Sequence, residues 1–136
     1  MSDEAYCYPP DFTVLKDALR ITDQEQLDRF ERRMVRQRSS EDFPTGDFDL
    51  THLCAIHRHL FQDVYDWAGQ VRTVEISKGG SQFQPMAYIE TGMADVHRRI
   101  VGQDYLRGFS SDEFATQTGH IIGDVNYVHP FREGNG

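Results

Sequence analysis

Residues 129–136 read "HPFREGNG", and several of them are of types that do chemistry on a phosphate. His129 is the nearby side chain whose ordinary pKa, about 6.5, lets it accept a proton near neutral pH. Glu133 offers a hard carboxylate oxygen of the kind Mg²⁺ takes, one or two at a time, beside substrate phosphates. Gly134 and Gly136 open backbone conformations closed to other residues, and their bare N–H groups can form a nest for an anion. A helix beginning just beyond would add its positive end to the pull on phosphate. General base, metal ligand and phosphate nest within eight residues point to a phosphate-handling site.

Such a site needs a scaffold. Pro130 disfavours the α conformation at His129, so the stretch is predicted as a loop that follows a helix. That helix starts at a capping box, Ser110 with Glu113, and carries Phe114, Thr118, Ile121 and Val125 to about Tyr127. Ile89, Met93, Val96 and Ile100 predict another helix across 87–106. Between 71 and 83 the period changes: "VRTVEISKGGSQF" alternates and has a Gly79–Gly80 turn, which predicts a β-hairpin. Upstream, Asp49 caps a helix with Leu53, Ile56, Leu60, Phe61 and Val64 on one stripe, continuing until Gly69. Thr22 with Glu25 forms a capping box for a helix over about 23–38, bearing Leu27, Phe30 and Met34. Phe12, Leu15 and Leu19 suit a brief helix near the start, and Pro44 with Gly46 marks a loop. The fold class is mainly α, with five helical segments and one hairpin. A single domain spans 1–136, with a helical N-terminal segment, 1–45, and a motif-bearing part, 46–136.

Composition limits the function classes. The formal charge of -8 argues against an electrostatic grip on nucleic acid or an anionic membrane. No apolar run exceeds four residues, so the sequence shows neither a membrane span nor a signal-peptide core, and the expectation is a soluble, cytoplasmic protein. Cys7 and Cys54 are too few for a disulfide scaffold; both are expected to be reduced, with Cys54 in the core.

The terminal stretch resembles the signature of the Fic family, H-[PF]-F-x-[DE]-G-N-G-R, matching at His129, Pro130, Phe131, Glu133, Gly134, Asn135 and Gly136. The segment "GDFDLTHLCAIHRHLFQDVYDWAGQVRTVEISKGG" is also similar to that family's helix, turn and hairpin, so the likeness covers 46–136. The resemblance implies a helical bundle with a hairpin flap that transfers AMP from ATP to a Ser, Thr or Tyr hydroxyl of a target protein. By that carry-over His129 deprotonates the hydroxyl and Glu133 holds Mg²⁺. Gly134, Asn135 and Gly136 form an anion hole, and Phe131 anchors the loop. Glu75, Ile76, Ser77, Lys78 and Gly79 fall on the flap that docks an extended target segment by strand addition. Relatives that phosphorylate carry Ala and Lys where Gly134 and Gly136 stand here, so AMP is the expected group.

The signature's final Arg and the helix after it fall beyond Gly136; the expectation is that the gene product continues and that residues 1–136 alone are weak or inactive. No inhibitory [ST]-x-x-x-E-[GN] pattern occurs in the sequence, so the resemblance suggests a separate antitoxin or a later inhibitory helix. In the toxin-like branch the kind of target is a type II topoisomerase subunit. Three other readings stand beside this one: a non-enzymatic interaction module, a phospho- or phosphocholine transferase on the same fold, and a metal hydrolase built on "HLCAIHRH".

Overall fold

The computed structural model describes residues 2–135, and the chain falls into two compact units. One comprises residues up to Thr45 with Leu53–Gln70; the other comprises Gly46–His52 with the residues from Val71 onward.

In the first unit, helix α1 (Gln24–Ser39) is capped by Asp23, whose Oδ2 accepts the Gln26 N–H at 2.9 Å. The cap lies one residue beyond the Thr22–Glu25 pattern, because Asp23 and Gln26 repeat the same spacing and Asp accepts at least as well as Thr. The brief helix predicted over Phe12, Leu15 and Leu19 does not form. Instead the Tyr8 N–H donates to Val14 O and the Lys16 N–H to Tyr6 O, so the chain doubles back and Cys7 bridges Leu15. The Asp17 carboxylate takes the N–H groups of Leu19 and Ile21, a side-chain competition that draws amides away from a helix. The described residues before Thr45 are therefore helical only in α1 and a 3₁₀ turn at Ser2–Glu4.

Helix α2 (Leu50–Phe61) starts where Asp49 Oδ1 accepts the His52 N–H at 2.9 Å, as the sequence suggests. It stops at Phe61 rather than running to Gly69. A straight helix would place Trp67 about 120° round from Phe61, yet Phe61, Val64, Tyr65, Trp67 and Ala68 are all buried. Successive turns satisfy this by folding 62–70 back, with the Val64 and Tyr65 N–H groups on Phe61 O and the Gln70 N–H on Trp67 O. Tyr65 and Trp67 stack with ring centroids 4.5 Å apart, and Tyr6 meets the Trp67 ring edge-on. Cys7 is buried, Cys54, expected in the core, is half-buried, and neither forms a disulfide among the described residues.

In the second unit, strands β1 (Ser77–Lys78) and β2 (Ser81–Gln82) pair antiparallel, Ser77 opposite Gln82 and Lys78 opposite Ser81. Gly79 and Gly80 hold φ of 58° and 82°, the two-residue turn that such a tight hairpin requires. The ladder is shorter than the predicted 71–83, because 71–76 has no partner strand and Arg72 and Val74 turn inward. The predicted 87–106 helix is three pieces: a 3₁₀ turn at Met86–Tyr88, helix α3 (Ile89–Gly102) and a 3₁₀ turn at Asp104–Leu106. Asp104, Tyr105 and Leu106 all have positive φ, and the Tyr105 hydroxyl donates to Asp47 Oδ1 at 2.6 Å.

Helix α4 (Ser111–Val128) starts at Ser110, whose hydroxyl accepts the Glu113 N–H. Helix α3 packs on it through Ile89, Met93 and Val96, closely enough that a Cβ on Gly92 would meet Val128 Cγ2 at 2.9 Å. Gln117 and Asp124 bond to Gln103 and Arg99, so the covered face runs through 117, 124 and 128. On that side the predicted Thr118, Ile121 and Val125 are as partly covered as Gln117 and Asp124, and Phe114 is the member of the predicted stripe that departs. Periodicity counts apolar residues only, and Phe114 is left half exposed.

Candidate active site

The end of α4 leads into the candidate stretch. An α-helix leaves its last four carbonyls without intrahelical donors, and here each of them has a partner. Val125 O accepts the His129 N–H at 2.9 Å, and Asn126 O meets His129 Nδ1 at 3.0 Å. Tyr127 O accepts the Gln84 N–H at 3.0 Å, and Val128 O accepts from Arg72 Nη2 at 3.2 Å. Two of the four bonds therefore fix His129, and the other two tie the helix end to the residues flanking the hairpin.

His129 itself sits at φ 50°, ψ 64° in the left-handed region. Pro130 closes the right-handed helical option to the residue before it, so the chain leaves the helix at this position. A carbonyl can only accept, so His129 Nδ1 carries the hydrogen and, in the neutral ring, Nε2 carries the lone pair. Phe83, next to β2, lies flat on the imidazole with ring centroids 3.8 Å apart and 10° between planes. Burial holds the His129 pKa below the ordinary value; the Asn126 carbonyl pulls it up, while the Arg72 and Lys78 charges push it further down. The ring is thus a neutral base at neutral pH.

The loop after His129 is closed by its own side chains. Phe131 is 2% exposed, and burying such a ring stabilises by about 1.5–3 kcal/mol. Asn135 brackets it, Oδ1 accepting the Phe131 N–H at 2.8 Å and Nδ2 donating to Phe131 O at 2.7 Å. The Asn135 side chain, expected in the anion hole, is thereby engaged in closing the loop. The Gly134 N–H, expected to face a phosphate, donates to Glu133 Oε1 at 3.0 Å. Gly134 has a φ of 77°, which a glycine adopts without strain. Gly136, the last member of the expected nest, lies outside the described residues.

Glu133 is exposed and offers a hard oxygen. Among the described residues no group of three or more His, Cys, Asp or Glu side chains stands together as a metal cage. A cation that takes one carboxylate and completes its shell with phosphate oxygens and waters, as Mg²⁺ does, fits this donor set.

The hairpin residues split into two groups. Ser77, Lys78 and Gly79 are exposed at its tip. Glu75 and Ile76 belong to its root: Glu75 Oε1 accepts the Met86 N–H at 2.8 Å, and Ile76 O accepts the Phe83 N–H. The histidines of "HLCAIHRH" do not converge. His52 Nδ1 takes the Phe48 N–H, His57 Nδ1 takes the Gly69 N–H, and His59 Nε2 meets Arg38 O.

Sequence patterns missed Arg72. Its side chain is fully buried, and its five donors reach His129 O at 2.7 Å, Val74 O at 2.7 Å, Val128 O at 3.2 Å, Gln84 O, and Glu75 Oε1 at 3.5 Å. Its backbone N–H adds a bond to Pro130 O at 2.8 Å. The sequence puts Arg72 on the same alternating face as Val74 and Ile76, a hint of an inward side chain, but holds no local pattern that contains its acceptors.

Residues 47–136 match the Fic/DOC family. "Probable protein adenylyltransferase y4lH" of Sinorhizobium fredii is 41% identical over 135 residues, covering 98% of this chain and 70% of that protein. Protein adenylyltransferase VbhT of Bartonella schoenbuchensis is 40% identical over 130 residues, 93% of this chain but 27% of its own length. Among solved structures, the N-terminal Fic domain of a VirB-translocated Bep effector protein from Bartonella quintana, with bound ADP, superposes with a TM-score of 0.84 at 25% identity. That superposition covers the whole of this chain and 72% of the other. The family match, the two relatives and the shared mainly helical fold agree: this chain belongs to the Fic/DOC family.

Proposed function

We propose that the protein transfers AMP from ATP to a Ser, Thr or Tyr hydroxyl of a target protein. The observation that carries this reading is the set of His129: a neutral imidazole whose Nδ1 hydrogen is fixed on Asn126 O, leaving the Nε2 lone pair to accept a proton. The relatives named as protein adenylyltransferases and the neighbour with bound ADP support a nucleotide as the donor.

In the proposed step the target hydroxyl oxygen attacks the α-phosphorus of ATP and its proton passes to His129 Nε2. The bond from the α-phosphorus to the bridging oxygen breaks, and pyrophosphate leaves with that electron pair. Gly134 N–H, released from Glu133, donates to a phosphate oxygen, and the Glu133 carboxylate would hold Mg²⁺. The bound cation would neutralise charge on the α- and β-phosphates. Most of the rate gain in such transfers comes from positioning and charge stabilisation rather than covalent chemistry. The exposed hairpin tip, Ser77–Lys78 and Ser81–Gln82, offers unpaired strand edges on which an extended target segment can add.

Under the toxin-like reading, a type II topoisomerase subunit is the first target to assay. A small antitoxin carrying the [ST]-x-x-x-E-[GN] helix would be the inhibitor. The deciding experiment incubates the protein and target with ATP labelled at the α- or the γ-phosphate. Label from the α-position alone, abolished in His129→Ala, supports AMP transfer. Label from the γ-position contradicts it and selects a phosphotransferase, while no label in any target with an unchanged cellular effect of His129→Ala selects a binding module.

A further inference from the structure

Arg72 belongs to neither the signature stretch nor the hairpin ladder, yet its guanidinium bonds to the first residue of the one and to the arms that lead into and out of the other. Val74 O and Gln84 O lie on the two arms that lead into and out of the hairpin, and Val128 O and His129 O lie on the helix end and the base. Four carbonyls and one carboxylate oxygen account for all five N–H donors of a side chain with no exposed surface. A buried cation without such partners would be strongly destabilising. The last turn of α4 adds the negative end of its dipole to the same place. Main-chain bonds repeat the connection, from Gln84 N to Tyr127 O and from Arg72 N to Pro130 O.

We propose that Arg72 is a positioning residue that fixes the two roots of the hairpin to the His129 loop, holding a polypeptide docked on the hairpin and the imidazole that deprotonates it in one frame. The proposal rests on the AMP-transfer reading for its kinetic consequence, but the clamp itself is independent of that reading. Arg is suited to the task because its planar fork points five donors in fixed directions, whereas Lys offers three on a flexible stem. Arg72→Lys keeps the charge and loses the fork.

Two readouts on purified Arg72→Lys and Arg72→Met proteins test this. In hydrogen–deuterium exchange, the amides of Phe83, Gln84, His129 and Phe131 should lose protection together, at least tenfold, while α1 and the Tyr65–Trp67 region keep theirs. In steady-state AMP transfer, Arg72→Lys should lower kcat by about 10- to 100-fold, the size that a small misplacement of reacting groups produces. The target KM should rise, and the ATP KM should stay within about twofold. A merely structural role would instead lower apparent kcat in step with the folded fraction, leave both KM values alone, and raise exchange across the whole chain; that pattern overturns the proposal. Wild-type kinetics and wild-type exchange in Arg72→Lys overturn it as well. If the native protein transfers no AMP, the functional reading fails, and the exchange data still decide the clamp.

Discussion

Two histidines in this protein have opposite tautomers imposed on them. His57 is buried in the first unit, between Phe61 and Trp67, and its Nδ1 accepts the Gly69 N–H at 2.9 Å. Its lone pair is therefore engaged inside the fold and its hydrogen lies on Nε2. His129 in the second unit does the reverse: Nδ1 donates to Asn126 O, and the lone pair is left on Nε2 of a half-buried ring. The same side chain spends its lone pair where it meets a backbone N–H and keeps one on Nε2 where it meets a backbone carbonyl. What decides between them is the backbone group each ring meets: a glycine at φ 81° offers a donor to His57, and the helix end before His129 offers it an orphan carbonyl.

Breaking the two histidines should give separable defects. His129→Ala should reduce AMP transfer by about 10²- to 10⁴-fold, the usual contribution of a general base, with the unfolding midpoint little changed; single-turnover incorporation of α-labelled nucleotide measures it. His57→Ala should do the opposite. It leaves the Gly69 N–H without its acceptor and opens a gap beside two rings, so urea unfolding should show a loss of about 2 kcal/mol or more, with little change in kcat per folded molecule. A large loss of kcat in folded His57→Ala would contradict the division.

The pH dependence sharpens the same contrast. Because the folded-state pKa of His129 lies below its ordinary value of about 6.5, the unfolded chain binds more protons in the window just beneath that value. Stability should therefore rise with pH through that window and fall as the solution is acidified, and His129→Gln should flatten this part of the curve in thermal melts. The acid limb of kcat/KM should likewise have its midpoint below 6.5 rather than above it.

The smallest stability effect is expected at the hairpin tip. A Cβ on Gly79 meets nothing within 4 Å, but its φ of 58° is costly for alanine. Gly79→Ala should cost about 1–2 kcal/mol in the turn itself, which opens the hairpin locally and barely moves global unfolding. The target KM should rise and the ATP KM should not.

Much of this was legible in the sequence, and the rest was not for specific reasons. Helices α1, α3 and α4 follow from the spacing of Leu27 and Phe30, of Ile89, Met93 and Val96, and from the Ser110–Glu113 cap. The end of α4 at His129 follows from Pro130, whereas the left-handed conformation there does not. By contrast, Arg72 bonds to carbonyls 56 and 57 residues away, and no local pattern contains its acceptors. Asp17, a single carboxylate that takes two amides, defeats the apolar spacing around Leu15. The role of Asn135 also depends on a loop closing on itself, so composition shows an amide in the motif without showing which backbone it holds.

The central claim is that His129 is a neutral base with its lone pair on Nε2, and ¹⁵N NMR of the imidazoles tests it most directly, with His57 as the opposite reference in the same spectrum. At pH 7.5 the expected result is a protonated Nδ1 and an unprotonated Nε2 for His129, the reverse for His57, and a His129 titration centred below 6.5. A His129 ring with its hydrogen on Nε2, or one that stays charged at pH 7.5, would contradict the account.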